Sequence, residues 1–163
     1  MPLPFDPIVE ARRNWRSNRW GAADPMAAAT SITRAHQVLL RRIDAALAPF
    51  DLNFSRFEAL ALLHFSRSGS LPLGKIGDRL QVHPTSVTNT IDRLEADGLV
   101  RRTPHPTDRR ATLAGITSRG RALVERSAIA LADIKFGLDG MRRDDLTAVT
   151  AALTGLRRDA GDF

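Results

Sequence analysis

Between Val82 and Thr117, a segment rich in short polar side chains is followed by one rich in arginine. Val87, Ile91 and Leu94 recur at helical spacing, so the chain after Pro84 is predicted to form a helix with one buried face. The opposite side carries Thr85, Asn89, Asp92, Arg93 and Ala96, with Ser86 and Thr88 on its flanks. Short hydroxyls and amides allow close approach to a DNA major groove, where Asn pairs with adenine and Arg with guanine. The pattern favours a DNA-reading helix over the alternative, a solvated face that happens to be rich in Thr.

The next residues have the pattern of a basic two-stranded hairpin. Gly98 is suited to end the helix, and strands are predicted at Leu99–Thr103 and Leu113–Ile116. The connection between them contains, in order, Pro104-His105-Pro106-Thr107-Asp108 and Arg109-Arg110. Arginine on a projecting loop suits a narrow, A·T-rich minor groove. The alternative is an ordinary surface hairpin with solvated arginines, which is less favoured beside the polar helix.

These two elements together resemble the winged helix-turn-helix of the multiple antibiotic resistance regulator (MarR) family. The resemblance rests on Val82 to Glu95, Gly98-Leu99-Val100, the D-x-R motif Asp108-Arg109-Arg110 and the closing Ile116-Thr117. It implies a mainly α fold with a small β wing, flanked by N- and C-terminal dimerisation helices. It also implies that the polar helix reads the major groove, that Arg110 enters the minor groove, and that Asp108 supports a neighbouring arginine.

The chain divides into three predicted segments. Residues 1–50 are expected to hold an extra helix and a long dimerisation helix, residues 51–117 the DNA-binding lobe, and residues 118–163 the C-terminal dimerisation helices. Asp6-Pro7 and Asp24-Pro25 are expected to cap the first two helices, and Ser55 with Glu58 is expected to form a capping box at the start of the third. The third helix is expected to turn Phe57, Leu60, Ala61, His64 and Phe65 towards the core. Leu71-Pro72 is predicted to add a short strand to the hairpin, and Leu73–Leu80 to form the first helix of the reading motif.

Apolar stripes on the flanking helices extend beyond what the lobe can cover. The stripe of the last helix consists of Leu146, Val149, Leu153 and Leu156, at alternating spacings of three and four. We therefore expect a homodimer with two-fold symmetry. Its two reading helices would fit a near-palindromic double-stranded operator with half-sites about 34 Å apart.

The resemblance also implies a ligand-responsive regulator, with an effector bound between the dimer helices and the DNA-binding lobe. The extra N-terminal helix resembles the branch of the family that responds to urate, citrate or aconitate. Matching the effector residues of that branch yields Trp15, Glu58 in place of Asp, Thr90 in place of Arg, and Arg101. Arg34, His36 and Arg41 on the second helix offer an alternative cationic pocket, which suggests a small organic anion.

Structural roles are the alternatives for these residues. Glu58 would then serve only as a cap, Trp15 only as an anchor of the extra helix, and Arg101 would lie on a solvated strand. His36 and His64 lie on apolar faces, where a core histidine is more common than a metal ligand, and no local spacing of the four histidines suggests a metal site.

The composition and the missing motifs exclude several other classes of protein. The chain of 163 residues has 43% hydrophobic residues, a formal charge of +6 and no cysteine, so a disulfide scaffold and a thiol redox switch are excluded. No apolar run has the length of a membrane span and no cleavable leader is recognised, so we expect a cytoplasmic protein without membrane contact. No glycine-rich phosphate loop, cysteine nucleophile or local metal motif indicates an enzyme, and no cofactor is expected. The favoured function is a sequence-specific transcriptional repressor. The alternative is a winged-helix module for non-specific DNA or protein interaction that has no effector.

Overall fold

The computed structural model describes residues 3–108 and 110–163, which form a mainly helical structure with one small sheet. The α-helices are α1 (Pro7–Ser17), α2 (Ala23–Leu47), α3 (Phe54–Phe65), α4 (Leu73–Leu80), α5 (Pro84–Ala96), α6 (Ser118–Asp133) and α7 (Arg143–Asp159). The strands are β1 (Ser70–Pro72), β2 (Val100–Pro104) and β3 (Thr112–Ile116), and short 3₁₀ helices lie at Ala48–Phe50 and Lys135–Gly137. This arrangement confirms the predicted fold class, mainly α with a small β wing.

The sheet is antiparallel, with β3 between the other two strands. Ala114 in the middle of β3 pairs with Leu71 of β1 on one side and with Arg102 of β2 on the other. Ala114 is buried, so the sheet is joined to the core through its central strand. The short strand predicted at Leu71-Pro72 is confirmed.

One cluster of buried residues connects the lobe to the long helices. Its fully buried members include Leu47 of α2, Leu60 and Leu63 of α3, Ile91 and Leu94 of α5, and Leu131 of α6. Burying a Leu or Ile side chain contributes about 1.5–3 kcal/mol, so these contacts hold α5 firmly against α3. Because the cluster takes side chains from all three predicted segments, it does not separate them, and the division at residues 50 and 117 stays a prediction.

Two predicted helix starts are wrong. The N-cap of α3 is Asn53, whose side chain accepts a hydrogen bond from the Arg56 backbone N at 3.0 Å. Glu58 therefore lies in the second turn, too far along the helix to complete a capping box with Ser55. Helix α2 begins after Ala22, which has a left-handed conformation with φ 59°, and Asp24 lies inside its first turn. Asp24 instead accepts hydrogen bonds from the guanidinium groups of Arg12 and Arg16 of α1.

The expected inward orientation of Phe65 is also wrong. Phe65 is the last residue of α3 and is 82% exposed. Ala59, Leu60 and Leu63 fill the inward face of this helix, which leaves Phe65 outside the core. Among the described residues, no helix combines the length and apolar character that crossing a membrane requires.

Candidate nucleic-acid interface

Helices α4 and α5 form a tight helix-turn-helix. Helix α4 ends at Leu80, and its C-cap Gln81 takes a left-handed conformation with φ 51°. Helix α5 begins at Pro84, and the side chain of its N-cap His83 accepts a hydrogen bond from the Thr85 backbone N. A Cβ added at Gly77 would lie only 3.3 Å from the Val82 carbonyl oxygen, so glycine allows the close approach of the two helices. The predicted cap and the buried stripe of α5 are confirmed.

The polar face of α5 lies in solvent. Its exposed residues are Thr85, Ser86, Thr88, Asn89, Asp92, Arg93 and Ala96. The Thr88 hydroxyl donates to the Pro84 carbonyl oxygen at 3.1 Å, a bond within the helix that leaves its oxygen able to accept from a partner. Because Val87, Ile91 and Leu94 hold the opposite side in the core, this polar face can meet a DNA groove without any change in packing.

Hydrogen bonds connect His105, Asp108 and Arg110 in the loop between β2 and β3. His105 Nδ1 accepts from the Asp108 backbone N at 3.1 Å, and Asp108 Oδ1 accepts from the Arg110 backbone N at 2.9 Å. The Asp108 carboxylate thus supports Arg110 through its main chain, and Arg110 is exposed. Arg109, which was also predicted to contact DNA, lies outside the described residues.

Arg102 of β2 links the wing, which consists of β2, β3 and the loop between them, to α5. This role was not predicted from the sequence. Its guanidinium donates to the carboxylate of Asp92, to Glu95 Oε2 at 3.0 Å and to the Thr88 carbonyl oxygen at 3.3 Å. Its backbone N also donates to Glu95 Oε1 at 2.8 Å. The signal in the sequence is weak but present, because strand alternation places Arg102 on the inward face with Val100, opposite two acidic residues spaced three apart on α5.

The residues predicted to bind an effector lie in different parts of the chain. Trp15 of α1 is partly buried, and its indole N–H donates to the Gly21 carbonyl oxygen at 2.8 Å. Its ring meets that of Trp20 edge to face, with centroids 4.8 Å apart, so Trp15 attaches α1 to the segment that connects it to α2. His36 and Arg41 are exposed on α2, and Arg101 is exposed on β2.

Three of the predicted effector residues line three different cavities. Glu58 lines a cavity of about 40 Å³ between α3, α4 and α5, together with Thr90. Arg34 lines an open cleft of about 460 Å³ between α1, α2 and the turn at 137–141. Arg101 lines a shallow groove beside β3. The effector roles of these residues stay predictions.

Two acidic residues, Glu58 and Asp24, have pKa values shifted in opposite directions. Burial raises the pKa of the Glu58 carboxyl above its ordinary value, because the ionised form loses hydration in the apolar cavity. The hydrogen bond from Arg12 lowers the pKa of Asp24, which is fully exposed. Within residues 3–108 and 110–163, no group of three His, Asp or Glu side chains is arranged to hold a metal ion.

Comparison with known proteins places this geometry in a family. The model of the MarR family matches residues 52–112. The crystal structure of Sco5413, a MarR family transcriptional regulator from Streptomyces coelicolor, superposes with a TM-score of 0.82 and 50% sequence identity. That likeness covers 87% of this chain and 99% of Sco5413.

Similarity to curated proteins agrees with the structural comparison. The transcriptional repressor Rv2887 of Mycobacterium tuberculosis is 31% identical over 66% of this chain and 76% of its own length. The regulator YhbI of Bacillus subtilis is 33% identical over 59% of this chain and 61% of its own length. The chain thus spans about three fifths of the length of YhbI. The winged helix-turn-helix, the family model and the similarity to Sco5413 together show that this chain belongs to the MarR family, whose members are transcriptional regulators rather than enzymes.

Proposed function

We propose that the protein is a sequence-specific repressor of transcription that binds double-stranded DNA as a homodimer and is released by a small organic anion. One observation carries the proposal: the exposed polar face of α5 and β2, the strand that leads into the arginine-bearing loop, belong to one lobe and are joined by the bond from the Arg102 guanidinium to Glu95. A helix in a major groove brings such a loop to the adjacent minor groove. This function places the protein in the cytoplasm, where it would meet DNA.

Each side chain on the α5 face has a chemical role in this proposal. Asn89 pairs with adenine and Arg93 with guanine, because both residue types make bidentate contacts with base edges. The hydroxyls of Thr85, Ser86 and Thr88 contact base edges or phosphates at close range. Arg110 enters the minor groove, where the narrow A·T-rich form attracts a guanidinium.

Uncovered apolar surface supports the homodimer. Helix α7 has no buried residue within the single chain, and Leu156 on its apolar stripe is 57% exposed. Val149 on the same stripe and Ile32 on α2 are also exposed. A second copy packed on these stripes removes this surface from water and relates the two α5 helices by a two-fold axis.

The cleft beside Arg34 is our candidate for the effector site. Its volume of about 460 Å³ suits a small organic molecule. Apolar side chains of α1, α2 and the 137–141 turn line it. Arg34 and Arg42 supply two positive charges and Asp6 one negative charge, so the lining is net positive. An anion bound there would act on α1 and α2, and thereby on the spacing of the two reading helices. The change in DNA affinity that the anion causes is set by the ratio of its own affinities for the protein in the two spacings.

Competition between DNA sequences tests the central claim. We expect the protein to bind labelled DNA from upstream of its own gene at least ~10³-fold more tightly than random DNA. Rising salt should weaken binding with a slope of about −0.9 per phosphate contacted. Arg110→Ala should weaken binding to every sequence by a similar factor. Equal affinity for random DNA would contradict the proposal and favour the non-specific interaction module.

A pair of variants on α7 tests the homodimer. Leu156→Asp places a charge on the apolar stripe and should yield monomers by sedimentation, with weaker DNA binding. Ala151→Asp places the same charge on the opposite side of α7 and should leave the dimer intact. A wild-type protein that sediments as a monomer would contradict this part of the proposal.

The effector is tested by screening organic acids. Urate, citrate, aconitate and aromatic acids are titrated into the protein–DNA complex, and one of them should release the DNA. Arg34→Ala should abolish the release while DNA affinity in the absence of the acid is retained. Unchanged release from the Arg34→Ala complex would place the effector site elsewhere.

A further inference from the structure

Arg102 makes a set of contacts that extends along α5. Its side chain reaches Thr88, Asp92 and Glu95, which lie at spacings of four and three along one stripe of the helix. Glu95 lies seven positions after Thr88, which is about two turns of α-helix, so one guanidinium contacts α5 over more than half of its length. Arg102 itself is in β2, the strand that leads into the loop bearing Arg110. The wing and the polar helix are therefore joined directly by side chains as well as by the chain between them.

The environment of Arg102 makes this connection strong. Its side chain is only 23% exposed, so its contacts with the two carboxylates are partly shielded from solvent. Hydrogen bonds between ionised groups are about twice as strong as neutral ones, and a guanidinium offers several donors in a fixed plane. Glu95 is held twice, by the guanidinium and by the backbone N of Arg102. This arrangement fixes both the distance and the direction of β2 relative to α5.

We infer that Arg102 is a positioning residue for DNA binding, which holds the wing at the angle where Arg110 and the face of α5 enter adjacent grooves together. The inference rests on the proposed function, because it assumes that Arg110 contacts DNA. Arg102 points towards α5 and acts through the position of Arg110. Its loss leaves every DNA-contacting residue unsubstituted but releases the wing from α5, and Arg110 moves with the wing.

A substitution at Asp92 distinguishes a positioning role of Arg102 from a purely electrostatic one. Its carboxylate lies on the exposed face of α5, where it would repel DNA phosphates, and Arg102 neutralises it. If charge alone mattered, Asp92→Asn would strengthen DNA binding by removing that repulsion. Positioning predicts the opposite result, because the same substitution removes an ionised partner of Arg102 and loosens the wing.

A double-mutant cycle on DNA affinity tests the inference. We expect Arg110→Ala and Arg102→Ala each to weaken operator binding by about 10-fold, the order of one lost arginine contact. The double variant should also lose only about 10-fold, since a displaced wing no longer makes the Arg110 contact. Residues that act independently would instead give a loss of about 100-fold in the double variant.

Arg56→Ala is the matched control. Arg56 is also a largely buried, ion-paired arginine of the lobe, with its side chain 16% exposed and its guanidinium 3.4 Å from Asp97 at the end of α5. It contacts no residue of the wing among the described hydrogen bonds and ion pairs. We expect Arg56→Ala to lower the melting temperature as Arg102→Ala does, while retaining DNA affinity. The double variant Arg56→Ala/Arg110→Ala should therefore bind DNA as Arg110→Ala alone does.

Three experimental outcomes would contradict either the positioning role of Arg102 or the proposed function itself. Additive effects of Arg102→Ala and Arg110→Ala, or operator binding that Asp92→Asn leaves unchanged or strengthens, would overturn the positioning role alone. Arg110→Ala that binds like the wild type would overturn the minor-groove contact of the proposed function, and the inference with it. If Arg102→Ala does not fold, Asp92→Asn carries the test in combination with Arg110→Ala, with the same expected lack of additivity.

Discussion

Gly120 lies where the first turn of α6 meets Leu99, the residue just before β2, and the contact leaves no room for a side chain. A Cβ added at Gly120 would lie 2.3 Å from the Leu99 carbonyl oxygen and 2.9 Å from Cγ1 of Ile116. The first of these atoms belongs to the backbone, so it cannot move aside as a flexible side chain would. Gly120→Ala therefore has to push the start of α6 away from Leu99.

The cost follows from the bonds that hold this junction. The Thr117 backbone N donates to the Leu99 carbonyl oxygen at 3.0 Å, and the Thr117 hydroxyl donates to the Gly98 carbonyl oxygen at 2.9 Å. Overpacking a tight contact costs about 1–3 kcal/mol, and each hydrogen bond weakened by the shift adds about 1 kcal/mol. We therefore expect Gly120→Ala to lower the free energy of unfolding by about 3 kcal/mol. For a chain of this size, the melting temperature should fall by roughly 6–12 °C.

Thermal unfolding followed by circular dichroism measures this effect, with both proteins at the same concentration because the proposed homodimer would melt in a concentration-dependent way. Gly155→Ala is the control, because Gly155 is in the interior of α7 with no atom within 4 Å of an added Cβ. Alanine is favoured over glycine there by up to about 1 kcal/mol, so the control should be equal to or more stable than the wild type. A Gly120→Ala protein as stable as the wild type would refute the steric reasoning.

Three further substitutions have defined expected outcomes. Asn89→Ala should relax base preference at one operator position by about 1–3 kcal/mol while binding to random DNA changes little, as measured with a set of operator variants. Glu58→Gln should raise the melting temperature more at pH 7 than near pH 4. The stability that the neutral Glu58 carboxyl contributes is complete below its ordinary pKa of 4.5 and is lost as pH rises through the raised pKa of the folded state. An equal rise in melting temperature at both pH values would contradict this account. Trp15→Ala removes the 2.8 Å hydrogen bond to Gly21 and should release α1 to proteolysis. If Trp15→Ala leaves both DNA affinity and effector response unchanged, Trp15 has no part in the effector site.

The reading helix was predictable because its determinants are local. His83 and Pro84 mark its start by their own backbone and side-chain chemistry, and the spacing of Val87, Ile91 and Leu94 identifies its buried face. The exposed polar face follows directly from these two facts. The wing was predictable for the same reason, since turn-forming residues separate two short β-prone runs.

Some helix ends and core positions could not be predicted from local sequence, because they depend on the neighbouring elements. Asn53 and Ser55 are both acceptable caps in isolation, and the packing of α3 selects Asn53. Asp24 resembles a cap in sequence, but the arginines of α1 lie close enough to bind its carboxylate. Phe65 looks like a core residue, yet the inward face of α3 is already filled when the helix ends.

The sequence by itself determined that a polar helix and a basic hairpin occur together, because helical periodicity and turn chemistry act over a few residues. Only the tertiary structure decided that Arg102 joins them and that Glu58, Arg34 and Arg101 line separate cavities. The physical reason is that such contacts depend on the direction in which each side chain leaves its element. That direction is set by the packing of residues distant in the chain.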